Sequence, residues 1–259
     1  MPFTAKSGKF NASINTVEFG TGDKAVKIGG ENVFPLYSFD AAIENAPKVG
    51  IEITDFGMEH EPECIKKYYE GCATLADMAR KAASMEGVDF LSFRMEGGDP
   101  NGANKSTEEL IGELKEIADA VDLPLVVCGC KNVEKDAELF SKAAEALNGK
   151  NAVILSAKEE NYKTVGAAAG LAYKQIVGAE SAVDINLAKQ LNVLISQLGV
   201  DSKSVVMNVG SAAVGYGFEY VISTMDRVKA AALQQGDANL QMPIITPVAS
   251  EAWGVKEAM

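Results

Sequence analysis

The stretch from residue 175 to residue 220 constrains the fold most, because it contains one complete strand–helix unit and the start of the next. Leucine and isoleucine recur at helical spacing over 187–198, directly behind Asp184, whose carboxylate suits a helix N-cap. The apolar run at 205–207 is too short for a helix and favours a buried strand. Together these features are typical of a parallel sheet covered by helices on both faces.

The same unit recurs along the chain, which predicts a barrel. We count seven strands, each followed by a helix, at 49–54, 88–93, 125–130, 152–157, 175–179, 204–209 and 242–246. A TIM barrel has eight such units in about 250 residues, and this chain has 259. We therefore predict an α/β fold, a (β/α)8 TIM barrel that lacks its last βα unit. Truncation of the sequence at its C-terminus is the favoured explanation, and the alternatives are that a partner fills the gap or that the N-terminal hairpin supplies a strand. An open doubly wound sheet is the structural alternative.

The first 46 residues do not fit the repeating unit. Polar and apolar residues alternate between Phe10 and Ile28, around two glycines, which predicts a β-hairpin. We expect residues 1–46 to form a hairpin and lid across one end of a barrel domain at 47–259. Within that domain the first helix is predicted as one continuous element over 62–84.

The charge of the chain argues against two classes of partner. Lys and Arg number 24 against 36 Asp and Glu, a formal net charge of −12, and such a field repels nucleic acids and anionic membranes. The sequence has no apolar stretch of transmembrane length and no N-terminal signal pattern. Four cysteines without a pairing pattern fit a reducing compartment, so we expect a cytoplasmic protein.

Polar residues where strands end are the candidates for a site, because parallel barrels carry their chemistry on the loops after the strands. Asn208 is the most informative, since an uncharged amide between Met207 and Val209 is unusual unless it has a partner. The glycine-rich loop that begins at Gly210 would let backbone N–H groups approach a ligand, although a tight turn explains it equally well. The strand-end candidates are Asp55, Arg94, Glu96, Lys131, Glu159, Glu160, Asn161, Glu180 and Asn208.

The sequence also excludes several reaction types. His60 is the single histidine, so neither a His-rich zinc site nor a Ser-His-Asp triad can be built. The chain has no GxSxG motif and no Walker loop. Cys128 and Cys130 do not match zinc or iron–sulfur spacing and are predicted to be buried structural thiols on one face of a strand. From the residues alone, we predict an acidic α/β barrel with no self-contained catalytic set.

Several segments, in the same order along the chain, resemble the small subunit of the corrinoid/iron–sulfur protein, also called the delta subunit of the acetyl-CoA decarbonylase/synthase complex. No single segment is a catalytic fingerprint, and the run of matches is the specific part. Members of that family continue further at the C-terminus, which supports truncation. The segments are GGENVFPLYSF (29–39), EGGDPNG (96–102), PLVVCGC (124–130), EENYK (159–163), ESAVDINLAKQLN (180–192), GYGFEY (215–220) and MPII with EAWGVKEA (242–258).

The resemblance implies a role in methyl transfer in the reductive acetyl-CoA (Wood–Ljungdahl) pathway. It implies a heterodimer in which this barrel covers a corrinoid held mainly by a large subunit, which also carries the iron–sulfur cluster. Cobalt in the corrinoid would take a methyl group from methyltetrahydrofolate through a methyltransferase and deliver it to acetyl-CoA synthase/CO dehydrogenase. On this reading the chain itself is not catalytic, supplies no cobalt ligand and holds no cluster.

Neutral donors and acceptors suit the amide side chains of a corrinoid rim better than charges do. The predicted cofactor-binding residues are Asp55, Asn101, Asn104, Asn161, Asn208 and Gly210. Two alternatives stay open. One is a pterin-dependent corrinoid methyltransferase on a similar barrel, with Asp55 and Asn208 holding the pterin. The other is a purely structural partner subunit that does not touch the corrinoid.

Overall fold

In the computed structural model, the structure describes residues 10–34, 43–252 and 255–256. A six-stranded parallel sheet forms its centre, with each strand paired to its neighbours in chain order. The strands of this sheet are β3 (Gly50–Thr54), β4 (Phe90–Arg94), β5 (Leu125–Cys128), β6 (Val153–Ala157), β7 (Ile176–Glu180) and β8 (Val205–Asn208). The predicted α/β class with a parallel sheet is confirmed, and strands one to six are found within two residues of their predicted starts.

Helices follow the strands and cover the outside of the sheet. Ser106, Asn132 and Asp184 act as N-caps, each accepting a hydrogen bond from a backbone N–H in the first turn that follows. None of the helices that the structure describes is long and apolar enough to cross a bilayer. The helices are α1 (Glu63–Tyr68), α2 (Leu75–Ala83), α3 (Thr107–Ala120), α4 (Val133–Ala146), α5 (Tyr162–Val165), α6 (Ile185–Gln197), α7 (Phe218–Gln234) and α8 (Ala249–Ala252), and π-helical turns at Gly166–Ala172 continue α5.

The predicted continuous helix over 62–84 is wrong, because α1 and α2 are separate. Gly71 has a φ of +87°, a backbone conformation that side-chain-bearing residues rarely adopt. Thr74 then caps α2 by accepting from the N–H of Asp77 at 3.1 Å, and the Asp77 carboxylate accepts from the N–H of Thr74 at 3.2 Å. This reciprocal capping box starts a new helix.

The segment predicted as a seventh strand at 242–246 is present but barely paired. Ile244 forms a single parallel bridge with Met207. The N–H of Met207 donates to the carbonyl of Pro243 at 2.8 Å, and Ile245 donates to the carbonyl of Met207 at 2.9 Å. Proline lacks an N–H, which limits how far this pairing can extend. Among the described residues no hydrogen-bonded ladder joins this segment to β3.

The sheet has a core on each face. One core packs the sheet against the helices, with Phe93, Ile154 and Met207 among its members. The other lies on the opposite face, where residues such as Val126 and Val206 meet the N-terminal segment. Alternation of side chains along each strand therefore serves two apolar surfaces, as expected for strands covered on both faces.

A short hairpin covers the amino ends of the strands. Its strands, β1 (Val17–Phe19) and β2 (Val26–Ile28), pair antiparallel, as the alternating pattern predicted. The Phe19 ring lies edge-on to Phe90, with centroids 5.6 Å apart. Gly20 donates its N–H to the carbonyl of Asn151 at 2.7 Å. The hairpin thus blocks this end of the sheet and leaves the carboxyl ends open. Parts of the predicted lid, residues 1–9 and 35–42, lie outside the described residues.

Candidate functional site

A polar cavity of about 380 Å³ opens where β4 to β8 end, and we call it the mouth cavity. Its walls come from the loops after these strands and from the start of α8, the arrangement in which barrel sites are normally found. Most of its polar lining residues come from the ends of different strands and are far apart in sequence. The lining residues are Arg94, Cys128, Gly129, Lys131, Asp136, Leu155, Ser156, Lys158, Glu180, Ala182, Val183, Asn208, Gly210, Ser211, Pro247 and Glu251.

Asn208 is the centre of the polar network in this cavity. Its Nδ2 donates to Ser156 Oγ at 2.8 Å and to Glu180 Oε2 at 3.4 Å. Its Oδ1 accepts from the N–H of Gly210 at 3.0 Å. These contacts fix the orientation of a nearly buried amide. The prediction that an amide at this position would have a partner is confirmed.

Each cation of the mouth cavity is matched by a carboxylate. Arg94 donates to both oxygens of Glu52, at 3.0 Å and 2.8 Å, and Lys158 lies 3.4 Å from Glu180 Oε1. Lys131 pairs with Glu251 of α8. Among the lining residues, all of which the structure describes, no basic side chain lacks an acidic partner. The cavity is therefore polar without an excess of either charge.

The Arg94–Glu52 pair lies beneath the cavity and is almost fully buried. Burial acts to lower the pKa of Arg94, but the neighbouring Cys128 together with the hydrogen bonds and charge of Glu52 outweighs it, and the pKa is raised. Cys128 lies beside this pair, and burial raises the pKa of its thiol to about 11. At neutral pH the guanidinium is charged and the thiol is protonated. Neither group is activated for nucleophilic chemistry.

The loops around the cavity hold unusual backbone conformations. Lys131, Ala182 and Val183 have φ values of 72°, 45° and 67°, in the left-handed region that β-branched residues such as valine rarely occupy. The Ser211 Oγ on the facing loop is buried and has no hydrogen-bond partner. Such strain, together with an unsatisfied hydroxyl, is characteristic of a surface shaped for a ligand.

A second polar cluster, which we call the Asp55 cluster, lies at the carboxyl ends of β3 and β4. The Asp55 carboxylate accepts from the N–H of Gly97 at 2.9 Å and 3.1 Å and lies 3.0 Å from Lys105 Nζ. Lys105 also contacts Glu113 at 3.1 Å. Burial lowers the pKa of Lys105, but the hydrogen bonds to both carboxylates outweigh it and raise the pKa. The Asp55 side chain has no exposed surface.

The other predicted site residues lie around these two clusters. Asn101 and Asn104 are exposed on the loop after β4, where Asn101 donates to the Asp99 carboxylate at 3.0 Å and 3.2 Å. Asn161 is buried, accepting from the N–H of Lys158 at 2.8 Å and donating to the carbonyl of Val133 at 3.2 Å. The structure thus brings only Asn208 and Gly210 of the predicted set into the mouth cavity.

Several lining residues are absent from the predicted set. Arg94, Lys131 and Glu180 were strand-end candidates, so position alone had indicated them. Ser156 lies inside an apolar strand, and its only signal was a hydroxyl among aliphatic residues. Ser211 reaches the cavity from the glycine-rich loop after β8, and Glu251 reaches it from α8; neither residue type was indicated by the sequence.

The two cysteines of the CGC stretch are buried as predicted, but they lie in different surroundings. Cys128 ends β5, whereas Cys130 lies beyond the strand and packs with the core on the helix side. Its thiol donates to Asp136 Oδ1 at 3.2 Å. The expectation that both thiols share one face of a strand is wrong, because the strand ends before the second. No group of three or more metal-ligating side chains occurs within the described ranges.

Comparison with known proteins places these features in a family. The family model described as the CO dehydrogenase/acetyl-CoA synthase delta subunit matches residues 16–259. The protein named acetyl-CoA decarbonylase/synthase complex subunit delta of Methanothermobacter thermautotrophicus is 32% identical over 251 residues, which are 96% of this chain and 63% of that protein.

Two further proteins of the same name show the same relation. The Methanopyrus kandleri protein is 33% identical over 92% of this chain and 59% of its own length. The Archaeoglobus fulgidus protein is 31% identical over 92% of this chain and 53% of its own length. The chain thus spans less than two thirds of the length of these relatives. It belongs to the CO dehydrogenase/acetyl-CoA synthase delta subunit family.

Proposed function

We propose that this chain is the small subunit of a corrinoid/iron–sulfur methyl carrier, and that its mouth cavity faces a corrinoid held mainly by a large subunit. Family membership supports a place in a complex that makes or cleaves acetyl-CoA, since the relatives are named as subunits of one. The observation that carries the proposal is the Asn208 network, a neutral polar surface at the carboxyl ends of the strands.

The residues of the mouth cavity suit a corrinoid. The rim of that cofactor carries amide side chains, which need neutral donors and acceptors. Asn208, Ser156 and the unpartnered Ser211 hydroxyl supply both kinds of group. When bound, the corrinoid supplies the cobalt chemistry that carries the methyl group. The part of this chain is to orient the cofactor rim and to exclude water from one side of it.

We propose Asn208 and Gly210 as the residues closest to the corrinoid. Asn101 and Asn104 are exposed and free to approach it from the neighbouring loop. Asn161 and Asp55 would act by holding the loops in place, because their polar atoms already bond to the protein. We also propose that this chain supplies no cobalt ligand and no iron–sulfur cluster. Stoichiometric iron or sulfide on the isolated chain would refute the second statement.

The partners follow from this role. We propose that a cytoplasmic methyltetrahydrofolate methyltransferase loads the methyl group, and that acetyl-CoA synthase/CO dehydrogenase receives it. The charge of −12 is consistent with protein and cofactor partners and not with nucleic acid or an anionic membrane.

Co-purification tests the proposal directly. The chain is co-expressed with a large subunit of the family, and the complex is assayed for cobalt and for corrinoid absorbance. We expect a coloured complex, with Asn208→Ala lowering corrinoid occupancy at least fivefold. Asn192→Ala is the matched control, because Asn192 is equally buried but bonds the carbonyl of Asn239 at 2.8 Å, away from the cavity. A complex without cobalt contradicts the proposal.

Two other functions are separated by simple assays. A pterin-dependent methyltransferase would transfer methyl from methyltetrahydrofolate to free cob(I)alamin with the isolated chain alone, and we expect no transfer. A purely structural subunit would bind the large subunit with corrinoid occupancy unchanged by Asn208→Ala. The buried and fully bonded Asp55 carboxylate gives no support to the role that the methyltransferase reading assigned to it.

We also propose that the sheet belongs to a closed (β/α)8 barrel, with residues 1–46 as an N-terminal addition to the barrel domain at 47–259. A cleft of about 660 Å³ separates β3 from residues 243–249. Because alternate residues of β3 bond β4, the N–H groups of Gly50 and Glu52 point toward this cleft. One more parallel strand there would join the two edges.

Hydrogen exchange tests closure. We expect fast amide exchange at Gly50 and Glu52 in this chain and slow exchange at the equivalent amides of a longer relative. Fast exchange in both would contradict a closed barrel.

A further inference from the structure

We propose that the mouth cavity selects uncharged carboxamide groups over carboxylates. For the biological ligand this rests on the proposed function, since it implies a preference for corrinoids with intact amide side chains over deamidated ones. The preference itself is a property of the residues of this chain and can be measured without a corrinoid.

The first support is the mixture of donors and acceptors that the cavity leaves available. Ser211 Oγ is buried without a partner and can both donate and accept. Ser156 Oγ accepts from Asn208 and keeps its own proton for a ligand. Asn208 Oδ1 and the Glu180 carboxylate each keep a lone pair that can accept from an N–H group of a ligand. A carboxamide, which donates and accepts, uses both kinds of group, whereas a carboxylate only accepts.

The second support is the charge balance of the cavity. Three basic and three acidic side chains line it, and each basic one is paired within the chain. A carboxylate ligand would therefore have to take a cation from an existing pair. The exposed Lys131–Glu251 pair opens at little cost, but taking Lys158 or Arg94 leaves a half-buried Glu180 or a buried Glu52 without its counter-charge. Unpaired charges in such surroundings are unfavourable. A neutral amide binds without breaking any pair.

The third support is size. At about 380 Å³ the cavity is at the lower end of the range for small-molecule sites. It admits a short side chain and not a macrocycle, so a large cofactor must lie over the rim with one arm inserted. The chemistry of that arm then decides the fit.

Nuclear magnetic resonance on the isotope-labelled full chain tests the preference with two probes of the same shape, propionamide and propionate, at pH 7. We expect propionamide to shift the Asn208 side-chain NH₂ and the Gly210 amide. We expect propionate to need at least a fivefold higher concentration for the same shift. Equal effects of the two probes, or no shift with propionamide, overturn the proposal.

Two variants make the test sharper. Ser211→Ala removes a hydroxyl with no protein partner, so the fold should stay intact while propionamide binding weakens severalfold. Glu180→Gln frees Lys158, and we expect the preference for propionamide to shrink or reverse. Glu159→Gln is the control, because Glu159 is exposed nearby but does not line the cavity. An unchanged preference in Glu180→Gln contradicts the charge argument.

The outcome also distinguishes this inference from the proposed function. If the chain prefers propionamide but its complex with the large subunit never retains cobalt, the selectivity of the cavity is supported and the corrinoid role is refuted. If the complex retains corrinoid but the cavity binds both probes equally, the proposed function is supported and only the selectivity is refuted.

Discussion

The Asp55 cluster and the mouth cavity occupy the same edge of the same sheet, yet they differ in what they leave available. In the Asp55 cluster the carboxylate is held by Gly97 and Lys105 and has no exposed surface. In the mouth cavity the Asn208 network leaves the Ser211 hydroxyl unpaired beside an open volume. Strand-end position alone therefore does not identify a site. Unused hydrogen-bonding capacity that lines an open cavity does, because the buried Oε2 of Glu113 in the Asp55 cluster also has no partner.

The backbone around the two clusters shows the same contrast. A Cβ added at Gly97 would lie 2.2 Å from Asp55 Oδ2, so only glycine lets the backbone approach this carboxylate so closely. A Cβ at Gly210 would meet only backbone at 3.3 Å or beyond, although its φ of +84° still favours glycine. The first glycine closes a structural contact, whereas the second shapes a loop.

The largest expected effect is a difference in alkylation rate between Cys128, at the bottom of the mouth cavity, and an exposed cysteine. Because burial raises the pKa of Cys128 to about 11, its thiolate is scarce at pH 8, and we expect its alkylation to be at least about a hundredfold slower than that of the exposed Cys64. Mass spectrometry after timed alkylation measures both rates. In denaturant all cysteines should react alike. Equal native rates would mean that the reagent reaches the buried Cys128 thiol through the mouth cavity and that burial does not protect it.

A large stability effect is expected from the Arg94–Glu52 pair beneath the cavity. Glu52→Gln leaves a buried guanidinium without its counter-charge, and we expect a loss of about 3 to 5 kcal/mol in the free energy of unfolding. Urea denaturation measures it. Combining Glu52→Gln with Arg94→Met should restore part of the loss. A single-variant loss below about 1 kcal/mol would show that the pair is not held as described.

A smaller loss is expected on the Asp55 side. Asp55→Asn removes the charge that Lys105 faces and one acceptor for Gly97, with an expected cost of about 2 kcal/mol, since solvent reaches part of Lys105. Asp201→Asn is the control, because Asp201 is exposed and accepts only from the N–H of Lys203 at 2.9 Å. Fragment binding at the mouth cavity should not change. Loss of that binding would show that the two clusters are coupled.

The smallest effect on stability is expected at Ser211, the unpaired hydroxyl of the mouth cavity. Ser211→Ala should change the free energy of unfolding by no more than about 0.5 kcal/mol, because the hydroxyl has no partner to lose. Thermal unfolding followed by circular dichroism measures this. A loss above about 1.5 kcal/mol would mean that the hydroxyl is bonded within the protein after all.

Elements governed by local rules were predicted from the sequence. Apolar runs placed β3 to β8, and Asp184 and Asn132 cap their helices as their residue types indicate. The errors lie where tertiary contacts or backbone geometry decide. The break at Gly71 depends on a left-handed φ, and the pairing of residues 242–246 depends on what lies on their other edge. Neither is encoded in hydrophobic periodicity.

The site was predictable only in part, for a related reason. Asn208 was identified because a lone amide in an apolar strand needs a partner, and that partner is Ser156 at 2.8 Å. The loops decide which strand-end carboxylate is buried and which lines a cavity, because they fold over one strand end and leave another open. The Asp55 and Glu180 positions look alike in sequence, and the structure separates them by exposure.

Amide hydrogen exchange in the complex with a large subunit, with and without corrinoid, tests the central claim most directly. We predict that corrinoid slows exchange at residues 208–211 and 181–183, around the mouth cavity. The hairpin residues 17–28 at the opposite end, and the already bonded Gly97 amide, should not change. Unchanged exchange at 208–211, or protection confined to the hairpin, would contradict the account.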